Sequence, residues 1–284
     1  MATYKSAVRE AELQLEAAEK SMQLAKLFMM EIAQLESVDL YMNYESEMPD
    51  EVYESYKSGV ERMLKDEPMQ YILGYEWFYG RKFKVNQDVL IPRPETEELV
   101  SNVLVAVDER TGHREEPLTL IDVGCGSGAI GLSLKLEEPS LQVTLGDISA
   151  EALVVAKENA TTLEAEVDFV CGDMLQPFID QGIKVDVLVC NPPYIPSTQE
   201  IEATVKDYEP NVALFGGNDG LYFYKKVFDT CHLVLKEHAL MAFEIGYDQK
   251  EALLQEATTR FPQAKCEVLQ DMYGKDRMLF VDFK

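Results

Sequence analysis

The chain has 284 residues, 46% hydrophobic and 10% aromatic, which suits one or two globular domains with a sizeable core. With 51 acidic against 26 basic side chains the formal net charge is -25, so the surface repels phosphate backbones and disfavours nonspecific nucleic-acid binding. A basic protein partner fits that charge, as does a solvated acidic surface that only keeps the protein soluble. No stretch approaches the roughly 20 apolar residues of a membrane span, and the amino terminus lacks the apolar core of a signal peptide, so a cytoplasmic location without membrane contact is expected. Five cysteines without a CxxC pair suit a reducing compartment, with Cys171 and Cys190 expected in the core because their surroundings are apolar. His113, His232 and His238 lack ligand spacing, and no metal site is expected.

Residues 1 to about 75 read as helices, since Leu13, Ala17, Leu24, Leu27 and Phe28 recur at helical spacing. Breaks are expected at Ser37-Val38-Asp39 and Met48-Pro49-Asp50, where Ser, Asp and Pro start the next helix well. Met22, Met29, Met30, Tyr41, Tyr53 and Tyr56 are assigned to the core of this part rather than to a cofactor pocket. Glu76 to Val85 holds two aromatic β runs around Gly80, a hairpin joining two domains. Ile91-Pro92-Arg93-Pro94 then sets an extended entry to a helix ending near Asp108, followed by a polar, exposed loop from Glu109 to Pro117.

Beyond it strands and helices alternate, which predicts a parallel sheet covered by helices. Strands are expected over 119–123, 142–146, 167–171, 185–190, 240–244, 266–269 and 278–281, with helices over 150–161, 220–235 and 249–261 among the connections. The first strand runs into Gly124-Cys125-Gly126-Ser127-Gly128, whose glycines allow close approach to a ligand and whose helix start offers free N–H groups. Gly126, Gly128 and Gly131 also form a literal GxGxxG, so this loop alone leaves a dinucleotide site open. Asp147 ends the second strand, where its carboxylate can accept both ribose hydroxyls of an adenosine; helix capping is the other role, one Ser149 could fill. After the third strand, Asp173 and Met174 offer a carboxylate and an apolar wall for adenine, or form a simple turn.

The fourth strand, Val185 to Cys190, stops at Asn191-Pro192-Pro193-Tyr194, because two prolines cannot continue a ladder. Ligands of open α/β sheets bind at carboxyl strand ends, which makes this corner a candidate site. Hydride transfer would commonly call for a general acid, and nothing near Asn191 titrates usefully. Methyl transfer from a sulfonium needs instead a nucleophile held in line. Asn191 and the Pro192 carbonyl can accept hydrogen bonds from an NH2 group while Tyr194 lies flat on its plane, so an amide or amino nitrogen is the expected acceptor.

These motifs, together with Gln70-Tyr71-Ile72-Leu73-Gly74, Ile91 to Glu97, Glu209 to Leu214, Gly216 to Leu221 and Gly274-Lys275-Asp276-Arg277, resemble the protein glutamine N5-methyltransferases of peptide chain release factors, the HemK family. The match runs from about Glu67 to the carboxyl terminus; before it the chain matches only in being helical. Cys125 stands where Thr is more frequent in the family, a change that a loop read through its backbone tolerates. The resemblance implies a Rossmann-like class I methyltransferase domain over 93–284, with a seven-stranded, mostly parallel sheet, preceded by a helical substrate-binding domain over 1–75 and a β-hairpin linker over 76–92. It implies S-adenosylmethionine as donor, with Gly124, Cys125, Gly126, Ser127, Gly128, Asp147, Asp173, Met174 and Asn191 expected to bind it, and a monomer is expected. Asn191, Pro192, Pro193 and Tyr194 would be catalytic, and the acceptor the glutamine of a release factor's Gly-Gly-Gln loop. A nucleic-acid amino methyltransferase acting on adenine or cytosine is the alternative from the same chemistry, and a fold-retaining regulatory module the alternative from another class.

Overall fold

The structure, a computed structural model, describes residues 2–111 and 116–284. His113 and the middle of the polar loop expected over 109–117 lie outside the described residues. The chain forms two compact units, Met1–Tyr75 with Ile201–Tyr208, and Glu76–Glu200 with Glu209–Lys284. Among the described residues no helix is long and apolar enough to cross a membrane.

The first unit holds α1 (Tyr4–Ala17), α2 (Gln23–Ala33), α3 (Ser37–Met42), α4 (Asp50–Met63) and α5 (Met69–Leu73). A capping box opens α1, where the Thr3 side chain accepts from the Ser6 N–H and the Ser6 hydroxyl oxygen accepts from the Thr3 N–H. Phe28 stacks on Tyr56 at 5.6 Å, and the Tyr56 hydroxyl donates to the Ala25 carbonyl at 2.9 Å, so this buried ring keeps its polar end satisfied. Met29 is buried with them, whereas Met22, Met30 and Tyr53 are half-buried. Several residues assigned to the apolar face are exposed: Tyr41 at 55%, Leu13 at 48% and Leu27 at 46%, with Ala17 exposed as well. Helical spacing marks the side of a helix, and a layer of short helices leaves the flanks of that stripe uncovered. Tyr208, of the inserted segment, donates its hydroxyl to the Lys65 carbonyl within this unit.

From Glu76 the second unit holds the hairpin of β1 (Tyr75–Phe78, its first residue in the first unit) and β2 (Arg81–Lys84), whose turn residues Tyr79 and Gly80 have φ of 50° and 72°, as the tight mirror-image turn of a hairpin demands. Helix α6 (Pro94–Thr111) starts on a proline with Glu95 and Glu97 in its first turn, and runs three residues past the expected Asp108. The sheet contains β3 (Thr119–Val123), β4 (Gln142–Asp147), β5 (Asp168–Cys171), β6 (Val185–Cys190), β7 (Leu235–Glu244), β8 (Lys265–Gln270) and β9 (Asp276–Asp282). Between them run α7 (Ala129–Glu137), α8 (Ala150–Thr162), α9 (Gln176–Asp180), α10 (Ala203–Tyr208, of the first unit), α11 (Tyr222–Thr230) and α12 (Lys250–Arg260).

The strand order is β5-β4-β3-β6-β7-β9-β8, parallel except for β9, which runs antiparallel to both neighbours. Alternation along β3 sends Leu120 to one face, with Leu99, Val103 and Leu132, and Ile121 to the other, with Phe178, Leu188 and Phe243. The chain winds outward from β3 to β5 and then returns to place β6 beside β3, so the strand order reverses there. Val123 pairs with Gly146 on one side and Cys190 on the other, which aligns the strand ends that precede Gly124, Asp147 and Asn191.

Two expectations are corrected. The helix expected over 220–235 ends at Thr230, and after the short turn Cys231–Leu233 strand β7 starts at Leu235, five residues before Leu240. Lys236, Glu237 and His238 are exposed, and a register shift lies between Val185 and Val187, so this opening lacks the alternation of a half-buried strand. Cys190 is buried on a central strand, but Cys171, at the end of edge strand β5, is exposed.

Candidate active site

Gly124, Gly126 and Gly128 have φ of 74°, 53° and 82°, a path that L side chains rarely follow. A Cβ on Gly124 or Gly126 would meet nothing within 4 Å, whereas one on Gly128 would come 2.9 Å from the Leu132 side chain and 3.1 Å from Leu145. The first two therefore leave room for a ligand, and the third seats α7 on the sheet. Of the helix-start amides expected to be free, that of Gly131 donates to Asp122 Oδ2 at 2.8 Å, and four amides of the loop itself are also taken within the protein. Gly124 and Cys125 donate to the Gly146 carbonyl at 2.8 and 2.9 Å, Gly128 to the Cys125 carbonyl at 2.8 Å, and Gly126 to Asp147 Oδ2 at 2.9 Å. Neighbouring β4 thus holds the loop in shape. Cys125 and Ser127 are buried behind it, and burial pushes the Cys125 and Cys190 thiols well above their ordinary range, leaving them neutral.

A pocket opens at this edge. Gly124, Gly126, Asp147, Gly172, Asp173 and Met174 line it from the strand ends, and Asn191 and Pro193 from the end of β6. Asp147 accepts the Ser149 N–H at 2.9 Å through Oδ1, while Ser149 itself caps α8 by accepting the Ala152 N–H at 3.0 Å. Capping is thus done by Ser149, which leaves Asp147 lone pairs for a ligand. Asp173 pairs with Lys226 of α11, so its charge is partly neutralised, and Met174 holds a left-handed φ of 49°, a costly conformation at a ligand wall.

Other lining residues were not assigned to the site from the sequence, among them Asp88, Val89 and Leu90 from before α6, Pro210, Val212 and Ala213, and Phe223 of α11. Two of these walls are tied together by Glu209, which is buried and accepts from the Ile91 N–H at 3.1 Å and from the Arg93 guanidinium. Ile91 to Glu97 and Glu209 to Leu214 stood out as motifs, but their meeting needs a fold that joins residues more than a hundred apart.

At the end of β6, Pro192 is buried, and Tyr194, half-buried, donates its hydroxyl to Glu244 Oε1 at 3.2 Å. Thr96 of α6 donates to Glu244 Oε2 at 2.5 Å, and Asn191 Nδ2 lies 3.5 Å from Thr96 Oγ1. Burial raises the Glu244 carboxyl above its usual range, against the lowering effects of Thr96, the Arg277 charge and Tyr194. Burial also raises Tyr194, and the Glu244 charge adds to it, so its hydroxyl stays a donor. The pocket therefore receives Asn191 and Pro193, while Cys125, Ser127, Gly128, Pro192 and Tyr194 are not part of its lining.

Two family models match the chain, the PrmC N-terminal domain over residues 6–74 and the Methyltransferase small domain over residues 101–208. A release factor glutamine methyltransferase of Bacillus anthracis is 46% identical over 250 residues, 86% of this chain and 87% of that one. The chain belongs to the release factor glutamine methyltransferase family. A second member, from Staphylococcus aureus, is 37% identical over 262 residues, 92% of this chain and 91% of that one. Among solved structures the N-terminal domain of human METTL16, in complex with SAH, has a TM-score of 0.52 at 19% identity, over 72% of this chain and 77% of that one, a likeness of fold. The chain is thus a methyltransferase that uses S-adenosylmethionine, built on the expected class I sheet.

Proposed function

We propose that this methyltransferase methylates the side-chain amide nitrogen of the glutamine in the Gly-Gly-Gln loop of a peptide chain release factor. What carries the reading is the adjacency of the pocket at the ends of β3 and β4 to Asn191 at the end of β6, in a chain 46% identical to a release factor glutamine methyltransferase. The glycine loop would take the amino-acid end of S-adenosylmethionine, Asp147 the ribose, and Asp173 with Met174 the adenine. When bound, S-adenosylmethionine supplies a methyl group on a positively charged sulfur.

The rest falls to the protein's own side chains. An amide nitrogen is a poor nucleophile because its lone pair is delocalised into the carbonyl. The Asn191 side-chain oxygen and the Pro192 carbonyl would accept its two N–H bonds and hold the lone pair toward the methyl group, an effect of orientation and fixed dipoles. Tyr194 would bound the amide plane, and Pro193 would keep the turn rigid. The nitrogen lone pair forms the new N–C bond, the sulfur keeps the electrons of the broken S–C bond, and one amide proton leaves to water. No general base is required.

The test is transfer of radiolabelled methyl from S-adenosylmethionine to a release factor, beside a variant whose loop glutamine is Ala. Label on the first and none on the second is expected. Equal labelling of both, or of neither, would overturn the assignment.

A further inference from the structure

Glu244 lies outside the sequence motifs and Thr96 is given no role within the Ile91 to Glu97 motif, yet both are buried at the end of β7 and the start of α6 beside Asn191 and Tyr194. We propose that Glu244, acting through Thr96, is a positioning residue that decides which way round the Asn191 amide is held. The proposal rests on the methyl-transfer reading above and concerns how its acceptor site is prepared.

The argument follows the hydrogens. A carboxylate can only accept, so the hydroxyl 2.5 Å from Glu244 Oε2 must point its single hydrogen at it. Thr96 Oγ1 then has only lone pairs left, and the Asn191 atom 3.5 Å away has to be the donor, Nδ2. That turns Asn191 Oδ1, the acceptor, away from Thr96 and frees it for the substrate N–H. Were the amide flipped, two acceptors would face each other at Thr96 and an NH2 group would meet the NH2 group of the incoming glutamine. The other carboxylate oxygen takes the Tyr194 hydroxyl at 3.2 Å, so one buried group orients both side chains of the tetrad that carry polar atoms. Burial is the largest influence on the Glu244 carboxyl and raises it, while the Thr96 hydrogen bond, the Arg277 charge and the Tyr194 hydrogen bond oppose it and favour the accepting, ionised form. The Tyr224 hydroxyl donates to the Glu244 backbone carbonyl at 2.7 Å and fixes the residue at the strand end.

Steady-state methylation of a release factor should be compared for wild type, Thr96→Val, Thr96→Ser and Glu244→Gln, with S-adenosylmethionine affinity measured by calorimetry on each folded protein. Thr96→Val keeps the shape but cannot pass on the direction, so kcat should fall about 10- to 100-fold, the scale for misorienting a reacting group. KM for the release factor and cofactor affinity should stay within about twofold, because binding surfaces are untouched. Thr96→Ser restores the hydroxyl and should restore kcat. Glu244→Gln, whose amide can donate where the carboxylate only accepted, should lose kcat like the valine variant. Wild-type kcat in Thr96→Val or Glu244→Gln, equal losses in the valine and serine variants, or a loss confined to affinity would overturn the proposal. A wild-type enzyme that transfers nothing would instead overturn the methyl-transfer reading on which it stands.

Discussion

Asn191, after β6, and Asp147, at the end of β4, sit at the same edge of the sheet but should fail differently when removed. Asn191→Ala removes a fixed acceptor, so turnover should drop roughly 100-fold or more while S-adenosylmethionine affinity changes less. Asp147→Ala should weaken cofactor binding by about 1 to 3 kcal/mol in calorimetry, the scale of charged hydrogen bonds. Asp122, inside β3, gives a pH signature of its own. Its Oδ2 accepts the Gly131 N–H at 2.8 Å, its Oδ1 is buried without a partner, and burial pushes its pKa up to about 7, with the Asp147 charge adding to the effect. A carboxyl that ionises near 7 in the folded chain and near ~4 unfolded binds more protons when folded, so stability falls as pH rises through that window. Asp122→Asn cannot ionise. Thermal melts from pH 4 to 8 should show its stability gaining on wild type as pH rises, and parallel curves would refute the assignment.

Among elements, the segment Gly216 to Leu221 stood out in the sequence without a role, and packing supplies one. A Cβ on Gly216 would lie 2.4 Å from the Pro193 carbonyl oxygen and 2.9 Å from Tyr194 Cα, and one on Gly220 would lie 2.3 Å from the Tyr194 carbonyl oxygen. These are backbone atoms, which cannot swing aside as a side chain can. The loop clamps the tetrad, aided by Gln249, which donates to the Tyr194 carbonyl at 3.1 Å and the Gly220 carbonyl at 3.3 Å. Gly216→Ala should therefore cost about 1 to 3 kcal/mol of stability, as overpacking does, and depress methylation further than cofactor binding. Unchanged melting and activity would show that the clamp gives way easily.

For the whole molecule, the pocket at the strand ends is lined entirely by residues of the second unit, from Asp88 to Phe223. The helical substrate-binding role of residues 1–75, the hairpin linker over 76–92 and the catalytic domain over 93–284 remain a proposal. Its logic is that one glutamine amide offers too few contacts to select a protein. Deleting residues 1–75 should leave S-adenosylmethionine binding in place and abolish methylation of the release factor, measured side by side. Methylation at unchanged release-factor KM would show that the helices do not select the substrate. Segment Ile201–Tyr208 groups with that unit although it follows the tetrad in sequence, a link that no boundary drawn along the chain anticipates.

Local pattern alone was enough for the glycine loop, for Asp147 and Asn191 at strand ends, and for most element positions, because strand and helix periodicities and proline geometry act over a few neighbouring residues. Resemblance carried over by motif supplied the methyl donor and the acceptor class. Tertiary structure alone decided that the loop amides are held by Gly146 and Asp147, that Glu209 clasps the segment at Ile91, and that Asn191 answers through Thr96 to Glu244. Thr96 and Glu244 are 148 residues apart, and as separate letters each has an ordinary use, a helix start and a strand end. Which hydrogen bonds they make depends on strand order, on β7 lying beside β6 with α6 packed over it, and no short-range pattern in the chain encodes that neighbourhood.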